Sequence, residues 1–196
     1  MNKIDINDLT DKCLIAMPGI NGEFAQTVIY ICSHNKDGAM GFIINHRLKE
    51  LSFSDLAIDV PFTFKNENLP INLYHGGPID KTKGFILHSD DYQISDSIHT
   101  NSGITISSSL EILKDIVSGK GPKQRLIALG YAGWGPQQLE KEIMNNQWLI
   151  INADKNLVLN ENDSAKWEKA LSSLKIDTIN LSNTYGHSYT LSCTNF

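Results

Sequence analysis

Histidine is the residue type of this chain best suited to proton transfer or metal binding, and four of its six histidines follow short runs of apolar residues. Histidines at the ends of neighbouring strands can act as a general base or hold a metal ion when the fold gathers them. None of the four has HxH, HxxxH or HExxH spacing, so a hydrogen-bonded structural role is the competing interpretation. The four residues are His34, His46, His75 and His88.

Four glycine-bearing segments follow or bound predicted strands, and we expect them to meet in one cleft at the sheet ends. Consecutive backbone N–H groups in such loops can bind an anion. Glycine also serves ordinary tight turns, where it permits positive φ or close backbone approach, and the sequence leaves both roles open. The segments are Pro18–Gly22, His34–Gly41, His75–Pro78 (which contains Gly76 and Gly77) and Gly130–Gly135.

Five other side chains in or near these segments have two interpretations each. Asp37 suits acid–base chemistry or an Asx-turn, and the amide of Asn45 can tie two loops together. Tyr131 and Trp134 each have a large apolar face with one polar tip, suited to stacking on a planar ligand or to filling the core. Glu140 can contact a ligand or stabilise a helix N-terminus. The predicted ligand-binding residues are His34, Asp37, Asn45, His75, Gly76, Gly77, His88, Tyr131, Trp134 and Glu140.

Common catalytic signatures are missing from the sequence. There is no GxSxG nucleophile elbow, no GxxxxGK[ST] phosphate loop and no GxGxxG dinucleotide fingerprint. This favours a regulatory or binding domain that recognises a small ligand or a protein partner. The alternative is a hydrolase that uses His34 or His75 as its base. We assign no catalytic residue, metal ligand or cofactor.

Composition and charge narrow the possible partners. The chain has 196 residues, 41% of them hydrophobic, and its 22 acidic and 17 basic residues give a net charge of −5. This length suits one domain, residues 1–196. The acidic balance and the absence of a helix-turn-helix pattern disfavour direct nucleic-acid binding. A regulator that acts on DNA directly is therefore a weaker hypothesis than one that acts through a protein.

The spacing of the cysteines and the length of the apolar runs indicate the cellular compartment of the protein. The three cysteines, Cys13, Cys32 and Cys193, are widely spaced and form no CxxC pair, which disfavours a disulfide framework or a zinc site. The polar N-terminal sequence lacks a signal-peptide h-region, and no apolar run approaches the ~20 residues of a membrane span. We expect a cytoplasmic protein without a membrane segment, and oligomeric state stays open.

Strands rich in Ile, Val, Phe and Tyr come ahead of the helices instead of alternating with them, which predicts an α+β fold. A long, turn-rich loop, Ser33–Met40, is predicted between the second and third strands, and a hairpin turn at Asp154–Asn156. The predicted strands are Cys13–Met17, Thr27–Cys32, Gly41–Asn45, Ile71–Tyr74, Gly84–His88, Ile104–Ile106, Arg125–Leu129 and Trp148–Ile151, with Asn156–Leu159 weaker.

Three to four helices are predicted. Leu110, Leu113 and Val117 mark one face of the first, and Pro136 opens a second that ends near Asn145. Asn162 or Asp163 caps a third, 163–174. A short helix can run from Ser54 towards Asp59, Phe62–Pro70 suits a mobile loop, and the tail from Asn180 to Phe196 lacks clear periodicity.

Several long motifs in order resemble the YqgE/AlgH family of bacterial proteins. They include CLIAMPGINGEFAQTVIYICSHNKDGAMGFIINH, HGGPI, GFILHS, GITISSSLEIL and ALGYAGWGPQQLEKEI, and the likeness runs from about Leu14 to Leu159 within a motif-bearing core of 13–160. The resemblance implies one compact α+β domain with a mixed, partly barrel-like sheet and helices packed outside. It also implies a cytoplasmic protein without established catalytic residues, in a family whose members often carry the label of transcriptional regulator.

The sequence departs from the family pattern at two places. Gln137 stands where the GPGQLE pattern has a glycine, and we expect this to stiffen the start of the following helix. The C-terminal HSYTLSCTNF differs from the usual short ending rich in glycine and alanine, so no family property is transferred to the tail.

Overall fold

The computed structural model describes residues 5–50, 71–160 and 162–174, and its described strands form one sheet. Most neighbours are antiparallel, in the order β6-β7-β5-β8-β3-β2-β1-β9, and β4 adds to β8 in the parallel direction. The sheet is therefore mixed, as expected. The strands are β1 (Lys12–Ala16), β2 (Val28–Asn35), β3 (Gly38–Ile43), β4 (Leu73–His75), β5 (Ile79–Ser89), β6 (Ile98–His99), β7 (Ile104–Ser107), β8 (Arg125–Trp134) and β9 (Trp148–Asn152).

Strand β8 joins the two halves of the sheet. Its first half pairs with β5 and β4, and its second half pairs with β3. The prediction of a loop at Gly130–Gly135 is therefore wrong, because the strand continues to Trp134. Gly130, at φ +72°, interrupts the alternation, so that Ala128 and Tyr131, three residues apart, both face the same core.

Four helices and a 3-10 turn complete the described residues. The 3-10 turn is Gly22–Phe24, and the helices are α1 (Leu110–Val117), α2 (Gln138–Met144), α3 (Lys155–Leu159) and α4 (Asp163–Ser173). The predictions of a strand at Asn156–Leu159 and a hairpin turn before it are wrong. Asp154 accepts hydrogen bonds from the backbone N–H groups of Asn156 and Leu157 and so caps a helix there.

The β2–β3 hairpin is tight. The two strands pair as far as Asn35 and Gly38, so only Lys36 and Asp37 lie between them. The predicted long loop is wrong, because both strands extend into its polar residues. Successive side chains of a strand point to opposite faces, so polar residues can alternate with buried ones in a strand. His34 consequently lies on a strand.

Apolar side chains fill both faces of the sheet. One face carries the largest cluster, in which Phe42 and Phe85 lie with ring centroids 5.0 Å apart and helices α3 and α4 pack against it. On the opposite face, Leu139 of α2 packs over one end and Ile112 of α1 over the other. The strands pair mostly antiparallel in one sheet, and the helices pack on its faces. This arrangement confirms the α+β prediction.

Two side chains of α4 fix that helix to the sheet. Buried Lys166 donates from Nζ to the carbonyl oxygens of Ile44 at 2.7 Å and Val158 at 3.1 Å. Trp167 donates from Nε1 to the carbonyl of Ala16 at 2.9 Å. As predicted, Asn162 caps the helix, because its side chain accepts from the backbone N–H of Ser164.

Cys13 and Cys32 are free and buried, and burial raises the pKa of each thiol to about 12. Among the described residues, no helix is both long and apolar enough to cross a bilayer. Several predictions lie outside the described residues: the helix at Ser54–Asp59, the loop Phe62–Pro70, the tail from Asn180 to Phe196, and Cys193.

Candidate functional site

A cleft of about 580 Å³ opens beside the second half of β8, between the 3-10 turn and helix α2. We call it the indole cleft, because Trp134 and Trp148 both contribute to its lining. Its other apolar side chains are Ile20, Phe24 and Pro78; its polar side chains are Gln138, Glu142, Asn145, Asn146 and Gln147; Gly19 and Gly133 complete the lining.

Three of the four glycine-bearing segments contribute to this cleft. Gly19 comes from the first segment, Pro78 from the third and Gly133 from the fourth, although the three lie far apart in sequence. The second segment does not line it. Its Gly38 instead lies against the backbone of Trp134, where a Cβ atom would come within 2.1 Å of the Trp134 carbonyl oxygen.

Glu142 organises the polar part of the cleft. Its Oε2 accepts hydrogen bonds from Nε1 of Trp134 and Nε1 of Trp148, each at 2.8 Å, and its Oε1 accepts from Nε2 of Gln138 at 2.9 Å. The two indole rings meet edge to face, with centroids 6.3 Å apart. Hydrogen bonds from three donors to one carboxylate hold both rings in place.

The 3-10 turn forms one wall of the cleft, and an ion-pair network holds it. Phe24 packs edge to face on Trp148, with centroids 5.9 Å apart. The neighbouring Glu23 accepts through Oε1 from His75 Nε2 at 2.6 Å and Lys81 Nζ at 3.0 Å. The hydrogen bond from Lys81 is the largest cause that keeps the pKa of Glu23 below its ordinary value. His75 thus positions the wall of the cleft without lining it.

His34 and Glu140 lie together, outside the cleft. The His34 ring is buried, and its Nδ1 accepts the backbone N–H of Leu9 at 3.0 Å, so the ring proton belongs on Nε2. Nε2 lies 3.3 Å from Glu140 Oε1 but is not aligned for a hydrogen bond. Neither side chain lines the indole cleft.

Asp37 and Asn45 both take part in hydrogen bonds that join a side chain to the backbone. Asp37 is exposed at the tip of the β2–β3 hairpin, and the Asx-turn there is made by Asn35, whose Oδ1 accepts the Asp37 N–H at 2.8 Å. Asn45 accepts from the N–H of Val28 and donates to the carbonyl of Gln26, both at 2.8 Å. Its amide ties two segments together as predicted, away from the cleft.

His88 lies in the core on the other half of the sheet. It is fully buried; Nδ1 donates to the Ser89 carbonyl at 2.8 Å, and Nε2 lies 2.9 Å from Ser107 Oγ and accepts its proton. Burial is the main cause that lowers the pKa of His88. His46, half-buried, likewise has a lowered pKa, mainly through burial. The four predicted histidines therefore do not gather at one site, although two of them lie together, since the backbone N–H of His75 donates to the carbonyl of His46 at 2.8 Å.

Tyr131 and Trp134 face opposite sides of β8. Tyr131 packs edge to face on Phe85, with centroids 5.9 Å apart, in the core that α3 and α4 cover. Trp134 belongs to the cluster beneath α2 and lines the cleft, although it is only 7% exposed. Of the predicted residues, Trp134 alone both lines the cleft and contacts its carboxylate.

Gly76 and Gly77 permit two backbones to cross. A Cβ atom on Gly76 would lie 2.3 Å from the Gly130 carbonyl oxygen, and one on Gly77, at φ +153°, would lie 2.1 Å from the Tyr131 carbonyl carbon. The glycines of HGGP and GYAGWG thus face each other where the chain passes from β4 to β5 across β8. This contact positions Pro78 at the cleft.

Sequence reasoning missed the carboxamides of the cleft and the role of Glu142. Glu142 lies eight residues after Trp134 and six before Trp148, and neither spacing is a recurring motif. One signal was available, because α2 places Gln138 and Glu142 four residues apart on one face.

Comparison with known proteins agrees with this architecture. The AlgH-like family profile matches residues 13–179. UPF0301 proteins of Afipia carboxidovorans and Agrobacterium fabrum are 41% and 40% identical, covering 91% and 95% of this chain and 90% and 96% of their own lengths. The solution structure of AlgH from Pseudomonas aeruginosa has a TM-score of 0.74 at 32% identity, covering 96% of this chain and all of that one. The chain belongs to the AlgH-like family.

Proposed function

We propose that this protein is a non-catalytic binding domain and that the indole cleft is its small-molecule site. The observation that carries the proposal is the shared carboxylate: Trp134 and Trp148 donate to the same oxygen of Glu142 at the cleft. Two indole rings locked by one acceptor form a surface whose shape exists before a ligand arrives. Such preorganisation lowers the entropic cost of binding.

The size and lining of the cleft support the same proposal. Its volume of about 580 Å³ lies in the range of roughly 300–1,000 Å³ that is typical of small-molecule sites. Aromatic side chains stand beside a few polar groups, which is the usual composition of such sites. The glycines at Gly19 and Gly133 leave the backbone accessible there.

The positions of the histidines favour binding over hydrolysis. His34 is enclosed beside Leu9 and Glu140, and His75 is engaged by Glu23. Neither lines the cleft, so neither is placed to take a proton from a substrate bound there.

We further propose a cytoplasmic regulatory role in which the ligand-bound domain acts on a protein partner instead of on DNA. The net charge of −5 supports this, because broad contact with phosphates needs clustered basic residues. Gel-shift titrations at low and moderate salt should show no complex with duplex DNA. A complex whose affinity falls steeply with salt would contradict this part of the proposal.

The ligand-binding proposal is tested with a thermal-shift screen of metabolites, together with native mass spectrometry of the freshly isolated protein. We expect at least one compound to raise Tm or to stay bound. Asn145→Trp should abolish the effect, because Asn145 lines the cleft and an indole there would fill it. Asn160→Trp is the matched control, since Asn160 also ends a short helix but lies elsewhere.

Two outcomes would contradict the proposal. One is a broad panel without any shift or retained mass. The other is a shift that survives Asn145→Trp unchanged, because the ligand would then lie outside the indole cleft.

A further inference from the structure

The charge of the cleft indicates which ligands it can hold. Glu142 is the charged residue of its lining, and no Lys, Arg or His lines it in the part of the chain that the structure describes. Among the described residues, Glu142 has no ion-pair partner. In the described parts of the chain, its carboxylate accepts from the neutral N–H donors of Trp134, Trp148 and Gln138 and from no cationic group.

The donors leave part of this carboxylate open. A carboxylate offers about four lone-pair positions. Donors of the described residues take three of them, two on Oε2 and one on Oε1, which leaves one position on Oε1 for a ligand of the cleft that Glu142 lines. A ligand group that fills it has to donate a hydrogen bond, and a cationic donor also neutralises the charge.

The rest of the lining fits a cationic ligand with an apolar body. The carboxamides of Asn145, Asn146 and Gln147 offer carbonyl oxygens to an N–H donor. Phe24 supplies an aromatic face, which attracts cations and packs on apolar rings. A phosphate or carboxylate ligand would meet Glu142 without a basic group to offset the repulsion.

We propose that the indole cleft binds an organic cation, a small molecule with a primary ammonium or guanidinium group attached to an apolar ring. The inference rests on the proposed function. In the bound state the cationic group donates to Glu142 Oε1, and the ring lies against Phe24.

The test compares three probes with one ring and different charges: benzylamine, benzyl alcohol and benzoate. Each is titrated into the full chain while the indole N–H resonances of Trp134, Trp148 and Trp167 are followed by NMR. We expect benzylamine to shift the first two and to leave Trp167 unchanged, since the Trp167 side chain packs against the core on the opposite face of the sheet and does not line the cleft. Benzoate should give no shift at the same concentration.

Variants connect the binding to the charge. Glu142→Gln keeps an acceptor for the indoles and removes the charge, so it should weaken benzylamine binding at least about tenfold, as the loss of a charge-assisted hydrogen bond predicts. Glu168→Gln removes one exposed carboxylate on α4 and should leave the affinity unchanged. Benzyl alcohol binding should weaken less than benzylamine binding in Glu142→Gln, because its neutral hydroxyl group forms no ion pair with the carboxylate.

The outcomes separate this inference from the proposed function. If benzyl alcohol or benzoate shifts the same two indole resonances at equal or lower concentration than benzylamine, the cation inference is wrong while the cleft remains a binding site. If benzylamine shifts neither resonance in the wild type, the inference is also wrong. That result and a negative metabolite screen together would overturn the proposed function as well.

Discussion

Trp134 and Trp148 donate their indole N–H groups to one oxygen, Glu142 Oε2, from strands at different positions in the sheet. Both rings are nearly buried, at 7% and 5% exposure. A polar N–H group enclosed at this depth needs an acceptor. The shared oxygen therefore links the cleft to the stability of the fold.

Glu142→Ala should lower the free energy of unfolding by about 2–4 kcal/mol, because two nearly buried indole donors lose their acceptor. Glu142→Gln should cost much less, since its amide oxygen can still accept. Urea unfolding followed by far-ultraviolet circular dichroism measures both. Equal losses in the two variants would show that the indole hydrogen bonds do not stabilise the protein.

Gln137→Gly should stabilise the protein by about 1 kcal/mol. Gln137 has φ +58° and ψ +9°, in the left-handed region where side chains are strained. Gln137 precedes α2 in a conformation that suits the glycine of the family pattern, and the expectation that it stiffens the helix start stays a prediction. Chemical denaturation of Gln137→Gly and Gln137→Ala checks this, and an increase in stability for alanine equal to that for glycine would contradict it.

Gly77→Ala should destabilise by roughly 3 kcal/mol or more, because its Cβ atom would overlap the backbone of Tyr131 and its φ disfavours a side chain. Gly84→Ala is the matched control. It lies on β5 with open space around the added Cβ atom, so it should be nearly neutral. Thermal unfolding compares the two, and the account of the backbone crossing fails if they are equal.

Lys166→Met should lower the unfolding free energy by about 2 kcal/mol, because the carbonyl oxygens of Ile44 and Val158 would lose a buried charged donor. Glu168→Met, at an exposed position on the same helix, should change stability by less than about 0.5 kcal/mol. Equilibrium urea titrations give both values. A neutral Lys166→Met would mean that the ammonium group does not hold α4 on the sheet.

Acid should destabilise the protein through His88. Burial lowers its folded pKa, so below the unfolded value of about 6.5 the unfolded chain binds more protons, and stability falls until the folded pKa is reached. His88→Gln should therefore lose less stability than the wild type between about pH 7.5 and pH 5.5. His46 adds to the same trend, because its pKa is also lowered.

Exposed His99 provides the control for this pH effect. His99 lies on β6, close enough to His88 to act on it electrostatically, but its own side chain is not buried. His99→Gln should retain most of the wild-type loss of stability on acidification. If His88→Gln and wild type lose the same free energy over this interval, His88 is not the source.

The fold was predictable where local pattern and burial agree. Runs such as Val28–Cys32 and Leu126–Leu129 form buried strands because β-branched and aliphatic residues suit a pleated surface. The segment Asn156–Leu159 has similar residues but forms a helix. Asp154 caps its first turn, and its apolar side chains pack on the core as a helix. Local propensity does not contain that tertiary information.

The site was predictable only in part. Glycine segments indicated where backbones approach closely, and Trp134, which lies within one of them, lines the cleft. The sequence could not show that Tyr131 faces the other way, because Gly130 changes the alternation of β8. Nor could it show that Glu142 joins two indoles, since this depends on the placement of β9 beside β1.

Binding of a small molecule in the indole cleft can be followed in the indole region of a ¹H–¹⁵N spectrum during a screen of small molecules of mixed charge. We predict that bound compounds shift the Trp134 and Trp148 resonances together and leave Trp167 in place. If compounds that raise Tm leave both of these resonances unshifted, or if no compound shifts them, the indole cleft is not a small-molecule site.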